Sequence, residues 1–386
     1  MTRIAFVTNF VQHYRVRFFE QLSQYCDIDF YFFSDGDEFY WLPEHGTRES
    51  KIKSFKLPKF KILNTYILPG LMGHLVRQKY DVYFSGIVGR FTLPVTFLAA
   101  KITRRPFILW TGIWNRIQTI GHIIFYPITK YIYTHADAIV VYGNHVKQFL
   151  ISEGVEPKRI FIGQNAIDND EYTHTLDQDK LISIKENLGI QNDQKMILYV
   201  GRFNPEKGLD ILLRAFSKVE YSDVKLVLVG TGSLLEEMKQ LANSLGIQGK
   251  TFFAGYIPPE ETCYYYANSY FSVLPSVTTK KNKETWGLVV NESFAQSVPV
   301  ISSDCVGAAA SGFLEDEVTG LVFPEGDVET LADKMKNLLN DPKLRDKLGN
   351  QAKQRLLESG LDRMLSGFTD AIQFVLGTSE SETADE

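Results

Sequence analysis

The stretch "YVGRFNPEKGLDILLRAF", residues 199–216, decides the fold. An apolar run ends at Gly201, a polar loop carries Arg202 and Lys207, and apolar residues at helical spacing follow Gly208. Free amides at a helix start, together with two nearby cations, favour an anion, although both cations could instead be solvated loop residues. The stretch therefore predicts a strand, loop and helix of a parallel α/β sheet, with a candidate anion site at the strand end.

Similar strands are predicted along the whole chain. Short nonalternating apolar runs are typical of strands buried on both faces. Before residue 166 they are "RIAFVTN", "IDFYFF", "DVYFSG", "PFILWTG", "AIVVYG" and "RIFIGQN"; after it they are "MILYVGR", "VKLVLVGTG", "TFFAGY", "YFSVLPS", "VPVISSD" and "GLVF". Helical stretches lie between many of them, including "SLLEEMKQLANSLG", where Ser233 and Glu236 predict a capping box. Strand alternating with helix, twice over, predicts two doubly wound parallel sheets.

Length and composition predict two Rossmann-like domains, because 386 residues are about twice a typical domain. A polar, acid-rich stretch between Gly163 and Lys195 predicts the junction. The predicted parts are an N-terminal domain of residues 1–168, a C-terminal domain of residues 190–361, a helix at about 362–378 that rejoins the first domain, and a flexible acidic tail of residues 379–386. Ligands of such sheets bind at the carboxyl ends of strands, so we expect the domains to face one another across a ligand-binding cleft.

Charge is unevenly distributed between the two halves. Residues 1–166 carry a net charge of +8 and the remainder carries −13. The stretches "KIKSFKLPKFK" (Lys51–Lys61) and "KITRR" (Lys101–Arg105) concentrate basic residues, which attract phosphates or an anionic bilayer. A solvated strand and loop is the alternative for Lys51–Lys61, and no nucleic-acid-binding motif accompanies the lysines. The basic half therefore predicts peripheral contact with an anionic membrane and no nucleic-acid partner.

Three widely spaced cysteines have no ligand-like spacing, which predicts a reducing compartment and no zinc site. The N-terminus lacks the apolar stretch of a signal peptide, and no window has the length of apolar sequence that a membrane span needs. We therefore expect a cytoplasmic protein, peripheral at the inner face of the membrane.

Two further stretches carry chemistry-bearing residues. In "ETWGLVVNESFA", Glu284 precedes a predicted helix and Glu292 lies inside it, so the two acids could approach different parts of one ligand. In "GTGSLLEEM", Gly230 and Gly232 allow close backbone approach after a strand. The third glycine of a dinucleotide fingerprint is absent, so the sequence predicts no nicotinamide cofactor.

In combination, these motifs resemble the retaining glycosyltransferases of family 4, which have the two-domain GT-B fold. "GRFNPEKG", "VLVGTGS", "FFAGYI", "LPS", "ETWGLVVNESFA" and "PVISSD" follow that family's order and spacing. The resemblance is close over residues 197–335 and loose in the first half, through "NFVQHYRVRFFEQL". It implies transfer of a hexose from a nucleoside-diphosphate sugar to a glycan or lipid-linked acceptor in bacterial cell-surface polysaccharide biosynthesis. It also implies that no metal and no other cofactor are needed.

The resemblance assigns roles to residues of the C-terminal half. Catalytic roles fall to Arg202 and Lys207, which would bind the donor diphosphate, and to Glu284, which would bind the transferred sugar. Glu292 would bind the nucleotide ribose. The remaining donor-binding residues that it implies are Gly201, Gly230, Gly232, Tyr256 beside the base, Trp286, and Gly287, Leu288 and Val289 with their amides on the phosphate.

The chain departs from the family pattern in both halves. "PFILW" is followed by Thr111 and Gly112 with no histidine, and "GAAASGF" has Ser311 and Gly312 where Pro and an acid often stand. "NFVQHYR" replaces the glycine-rich acceptor loop, so the acceptor-side candidates are His13, Tyr14, Arg15 and, more weakly, Trp114. The alternatives left open are a nucleotide-sugar epimerase or sugar phosphorylase of the same fold, and a catalytically degenerate scaffold that binds the donor.

Overall fold

The computed structural model describes residues 1–34, 52–62, 65–86, 89–191 and 193–383. The chain forms two compact units. The first contains Met1–Asn165 and Leu361–Glu386, and the second contains Ala166–Gly360. The chain therefore leaves the first unit once and returns to it with its last helix.

The first unit is built on a parallel seven-stranded sheet. Its strands are β1 (Arg3–Thr8), β2 (Asp27–Phe32), β3 (Ser54–Phe55), β6 (Val82–Gly86), β7 (Phe107–Thr111), β8 (Ala138–Val141) and β9 (Ile160–Ile162). Two further strands, β4 (Phe60–Ile62) and β5 (Thr65–Ile67), form a separate antiparallel hairpin. The order in the main sheet is β3-β2-β1-β6-β7-β8-β9. The helices that precede the second unit are α1 (Val16–Tyr25), α2 (Leu71–Arg77), α3 (Thr92–Ile102), α4 (Ile120–His135) and α5 (Asn144–Ser152).

The second unit repeats this plan with a six-stranded parallel sheet. Its strands are β10 (Lys195–Val200), β11 (Val224–Val229), β12 (Thr251–Gly255), β13 (Phe271–Leu274), β14 (Val300–Ser303) and β15 (Gly320–Phe323), in the order β12-β11-β10-β13-β14-β15. Its helices are α6 (Asn169–Thr173), α7 (Gln178–Asn187), α8 (Leu209–Ser217), α9 (Leu235–Ser244), α10 (Pro259–Ala267), α11 (Val289–Ala295), α12 (Gly307–Ala310), α13 (Val328–Asn340) and α14 (Pro342–Leu357). The strand order reverses between β10 and β13, which makes their carboxyl ends the expected ligand site.

The last helix, α15 (Leu361–Thr383), completes the first unit. Its Phe368 ring packs 4.8 Å from Phe18 and 5.5 Å from Phe84, centroid to centroid, in the core beside the sheet. Gly367 permits the close approach, because a Cβ there would overlap the backbone around Ile162. The helix continues past residue 379, where the sequence predicts a tail, and residues 384–386 lie outside the described part of the chain.

All twelve predicted strands are present in the two parallel sheets, and the doubly wound α/β prediction is confirmed. The predicted capping box is wrong. Helix α9 begins after Leu234, which makes no side-chain cap hydrogen bond. The Leu234 amide instead donates to the Phe203 carbonyl at 2.9 Å, so a contact with the loop after β10 sets the start of the helix.

Among the described residues, no helix combines the length and the apolar character that crossing a bilayer requires.

Candidate functional site

The loops that follow β10 and β13 are locked together at the strand-order reversal of the second unit. Gly208 has φ +61°, and a Cβ at this position would overlap the Pro275 carbonyl oxygen. The Val277 amide donates to the Glu206 carbonyl at 2.9 Å. Only glycine fits position 208 without strain, because other residues rarely adopt this conformation and none has room for its side chain. This contact brings the side chains of the two loops together.

An ion pair between Lys207 and Glu284 forms the charged centre of the site. The Lys207 Nζ donates to the Glu284 carboxylate, and the Ser276 hydroxyl donates to the same oxygen at 3.4 Å. The two charged side chains keep 13% and 15% of their surface exposed, so the pair is partly shielded but still reachable from solvent. The structure therefore unites two of the three predicted catalytic residues.

Arg202, the third predicted catalytic residue, adds positive charge at the same strand end. Its Nη2 lies 3.6 Å from the Glu206 carboxylate. The hydroxyl of buried Tyr199 donates to the Arg202 carbonyl at 2.9 Å and fixes the turn through Gly201. The guanidinium is thus held by its own loop.

These neighbours decide the ionisation of Glu284. Burial raises the pKa of Glu284, but the charges of Lys207 and Arg202 and the hydrogen bonds from Lys207 and Ser276 outweigh that effect. The net pKa lies below its ordinary value. Glu284 is therefore an anion at neutral pH, available to accept hydrogen bonds or to stabilise positive charge.

Glu292 lies in α11 and has the opposite ionisation behaviour. Its carboxylate accepts a hydrogen bond from the Tyr266 hydroxyl at 3.1 Å, which lowers the pKa, but burial dominates and raises the pKa of Glu292 to about 7. Its charge also raises the pKa of Tyr172, which burial has already raised. Sequence reasoning assigned no role to Tyr266, which lies outside the quoted motifs, or to Ser276, although Ser276 is the last residue of the quoted "LPS".

The turn into α11 is anchored by Trp286. Its indole Nε1 donates to the buried Asn291 side chain at 2.9 Å, and Trp286 is 1% exposed. The ring therefore packs in the interior and holds the turn against the core. Gly287 has φ +88°, and a Cβ there would lie 2.8 Å from Leu274 Cδ2. In the described part of the chain, the amides of Gly287 and Leu288 donate no hydrogen bond, so both are available to a ligand. Val289 is the first residue of the helix.

Gly230 and Gly232 make room for the protein's own backbone. A Cβ at Gly230 would overlap the Gly201 carbonyl, and a Cβ at Gly232 would lie 2.5 Å from the Phe203 carbonyl oxygen. These glycines thus support the loop that carries Arg202. The predicted base-side residue, Tyr256, directly follows β12 and is half-buried.

Of the acceptor-side candidates in the first unit, Arg15 is a core residue. The residue is 2% exposed, and its guanidinium donates to the Asn165 side chain and to Met364 Sδ and lies 5.2 Å from the Trp110 ring centroid. These contacts favour the structural alternative for Arg15, since little of it is exposed to an acceptor.

The other three acceptor-side candidates are half-buried. The rings of His13 and Tyr14 meet edge to face at 5.2 Å. The Trp114 ring packs edge to face on His145 at 5.0 Å. Their assignment to an acceptor site stays a prediction.

The predicted basic stretch Lys51–Lys61 is only partly available to a partner. Lys51 lies outside the described residues. Lys53 Nζ lies 2.5 Å from the carboxylate of Asp29, which is fully buried, so this charge is used within the fold. Lys59 and Lys61 lie 5.4 and 5.0 Å from the ring centroid of Tyr66 on the β4–β5 hairpin.

Comparison with known proteins agrees with this geometry. Residues 182–355 match the family model of the glycosyl transferases group 1, and this segment contains the Lys207–Glu284 pair, Arg202 and Glu292. HepE of Anabaena, crystallised with UDP, superposes with a TM-score of 0.77 at 16% identity, covering 97% of this chain and 100% of the other. The fold is therefore that of the GT-B glycosyltransferases.

Two curated relatives match over shorter segments. An uncharacterized glycosyltransferase of Methanocaldococcus jannaschii is 31% identical over 196 residues, which are 50% of this chain and 48% of the relative. The alpha-monoglucosyldiacylglycerol synthase of Streptococcus pneumoniae is 38% identical over 127 residues, which are 32% of this chain and 28% of the relative. The chain thus spans about half or less of the length of these two relatives.

Proposed function

Because residues 182–355 match the family model of the group 1 glycosyl transferases, we propose that this protein is a retaining glycosyltransferase that uses a nucleoside-diphosphate sugar. The proposed acceptor is a glycan or a lipid-linked molecule of bacterial cell-surface polysaccharide synthesis, reached from the cytoplasmic face of the membrane. The observation that carries the proposal is the convergence of Lys207, Glu284 and Arg202 at the strand-order reversal of the second unit.

The chemistry of sugar transfer fits this set of charges. When the bond between the anomeric carbon and the diphosphate oxygen breaks, negative charge grows on the diphosphate and positive charge grows on the sugar. Lys207, Arg202 and the open amides of Gly287 and Leu288 would stabilise the leaving diphosphate, while ionised Glu284 would orient the sugar and stabilise its positive character. In the proposed mechanism these groups do the electrostatic work without a metal ion.

Glu292 and its surroundings supply a nucleotide-side contact. The partly buried Glu292 carboxyl lies beside Tyr266 in the first turn of α11, just after the phosphate-side amides. A carboxyl in this position is suited to hydrogen bonding with ribose hydroxyls. The complex of HepE with UDP and the lipid in the name of the pneumococcal relative are properties of those proteins. They motivate testing a nucleoside diphosphate as the donor leaving group and a lipid-linked acceptor first.

The donor site is tested by thermal unfolding in the presence of UDP, GDP, ADP or CMP. A ligand at about 100 times its dissociation constant adds about 2.7 kcal/mol to the free energy of unfolding. We expect stabilisation by one nucleoside diphosphate in the native protein and none in Arg202→Ala. Arg214→Ala, which removes an exposed arginine from α8, is the matched control and should respond like the native protein.

The donor site and the catalytic role of Glu284 can be contradicted separately. No response to any nucleotide, or an unchanged response in Arg202→Ala, contradicts the donor-site assignment. If the nucleotide binds, the corresponding sugar donor is then tested for transfer with Glu284→Ala, and undiminished transfer would remove Glu284 from the catalytic set.

A further inference from the structure

Helix α4 presents its apolar residues to solvent. Ile120, Ile124 and Ile128 are 79%, 67% and 48% exposed, and Tyr131 is 54% exposed. Their spacing of four, four and three residues places them on one face of the helix. Ile123 and Phe125, at 59% and 42%, widen the same face. In a helix on the surface of a water-soluble protein, the apolar face normally packs against the core, so this orientation needs an explanation.

The inward side of α4 is held by charged and polar groups. Glu153, whose side chain is 3% exposed, accepts a hydrogen bond from Arg116 Nε at 2.8 Å and lies 3.3 Å from Lys130 Nζ. Arg116 precedes the helix and Lys130 lies within it. Buried Ile132 and Tyr133 fix the end of the helix in the core. These contacts set the rotation of α4 on the first unit and leave its isoleucines outside.

The neighbouring helix α3 extends the apolar surface. Leu98 and Ile102, one turn apart, are 51% and 56% exposed. Phe97 on α3 meets Tyr131 on α4 edge to face at 6.1 Å, so the two helices are in contact. The α3–α4 face is defined here by its exposed apolar residues, Leu98, Ile102, Ile120, Ile123, Ile124, Phe125, Ile128 and Tyr131. An exposed apolar surface of this kind marks an interaction site.

The charge around the α3–α4 face is positive on balance, although Lys101 pairs with Asp137, and Arg116 and Lys130 pair with Glu153. Residues 82–136 contain six Lys and Arg and no Asp or Glu. Arg104 and Arg105 follow the C-cap residue of α3, Thr103, are exposed, and form no ion pair among the described residues. A symmetric dimer through this face would place the same basic residues against each other, which disfavours a second copy as the occupant. An anionic lipid surface complements both the apolar residues and the positive charge.

We propose that the α3–α4 face is the surface by which this protein lies on an anionic lipid bilayer. The isoleucines enter the boundary between headgroups and acyl chains, and Arg104 and Arg105 contact lipid phosphates. The contact is interfacial, as expected for an apolar helical face with basic neighbours. The proposal moves the principal membrane contact from the Lys51–Lys61 stretch to α3 and α4. It does not depend on sugar transfer, since vesicle binding is measured without donor or acceptor.

The test is cosedimentation of the full chain with phosphatidylcholine vesicles that contain or lack phosphatidylglycerol. We expect binding to the anionic vesicles, and a partition constant reduced by about tenfold or more in the triple variant Ile120→Ser, Ile124→Ser, Ile128→Ser. The matched control, Ile182→Ser with Leu357→Ser, removes exposed apolar residues of the second unit and should bind like the native protein. An unchanged thermal unfolding curve verifies that each variant is folded.

Charge variants separate the competing surfaces. Arg104→Ser with Arg105→Ser should weaken binding to anionic vesicles, whereas Lys343→Ser with Lys347→Ser in the second unit should not. The proposal is overturned if the triple isoleucine variant binds anionic vesicles as tightly as the native protein does. It is also overturned if Lys56→Ser with Lys61→Ser loses more vesicle binding than the triple isoleucine variant. A lipid-free dimer that the isoleucine variant converts to monomer would assign the face to a second copy. Release from vesicles by inorganic phosphate alone would reduce the contact to a phosphate site.

Discussion

The ionisation of Glu292 links a single side chain to the stability of the second unit. Its pKa is raised to about 7 by burial, whereas its ordinary value is 4.5. At pH values below 4.5 the Glu292 carboxyl is neutral in both the folded and the unfolded chain. Between 4.5 and about 7 only the unfolded chain releases the proton, so Glu292 lowers the free energy of unfolding as pH rises.

We therefore expect Glu292→Gln to stabilise the protein above pH 7 and to have little effect near pH 4. The gain should be about 2 kcal/mol at high pH, since a shift of one pKa unit corresponds to about 1.4 kcal/mol and partial exposure reduces the effect. Chemical denaturation at both pH values measures it. Glu237→Gln, an exposed acid on α9, is the control and should alter the free energy of unfolding little at either pH.

A gain of equal size at both pH values would show that Glu292→Gln acts through packing and would contradict the proposed ionisation. Nucleotide affinity provides a second readout, because a ribose contact predicts weaker binding by the Gln variant.

Some site residues follow from the sequence and others do not. Arg202, Lys207 and Glu284 stand in loops directly after strands, where parallel-sheet geometry gathers ligand-binding groups, and the structure brings them together. The partners that set their charge, such as Tyr266 beside Glu292, come from other elements. Their placement depends on tertiary packing, which no spacing in the sequence encodes.

At the scale of elements, the contact between the loops after β10 and β13 is the feature that positions the site. Gly208→Ala should destabilise the protein by about 3 kcal/mol or more, because it combines a left-handed backbone conformation with overlap of the Pro275 carbonyl. It should also abolish nucleotide binding by separating Lys207 from Glu284. Denaturation and calorimetry measure the two effects.

Gly246→Ala separates backbone strain from overlap. Gly246 has φ +69°, but a Cβ at this position would meet no atom within 4 Å, so this substitution should cost only about 1 kcal/mol and leave nucleotide binding intact. Equal losses in the two variants would mean that the loop contact is not what holds the site together.

Element type was more predictable than element orientation. Buried parallel strands consist of continuous apolar runs, so all twelve runs were recognisable without the structure. Edge strand β3 and the short β4–β5 hairpin were not, because they lie in a lysine-rich stretch with partly exposed side chains. The outward rotation of α4 was equally hidden, since an apolar stripe normally indicates the face that packs on the core, and in α4 that face is exposed.

At the scale of the whole molecule, the path of the chain makes the two units unequal. Residues 166–360 form one continuous segment that holds every proposed donor-site residue. The first unit lacks a central part of its core until α15 is present, because Phe368 packs on Phe18, Phe84 and Trp110.

We therefore expect a fragment of residues 166–360 to fold cooperatively and to bind the same nucleotide as the full chain. A fragment of residues 1–165 should remain unfolded or molten, and adding residues 361–386 through a short linker should restore it. Near-UV circular dichroism and two-dimensional NMR distinguish these states. A well-folded 1–165 fragment would show that α15 is dispensable for the first unit.

The return of α15 also imposes an order on biosynthesis. On the ribosome, β1–β9 emerge first but wait for a helix that is translated only after the whole second unit. At elongation rates of about 5–20 residues per second, that delay is on the order of 10–40 s. During it, the Phe18, Phe84 and Trp110 surface has no cover, so the nascent first half becomes a natural client for chaperones.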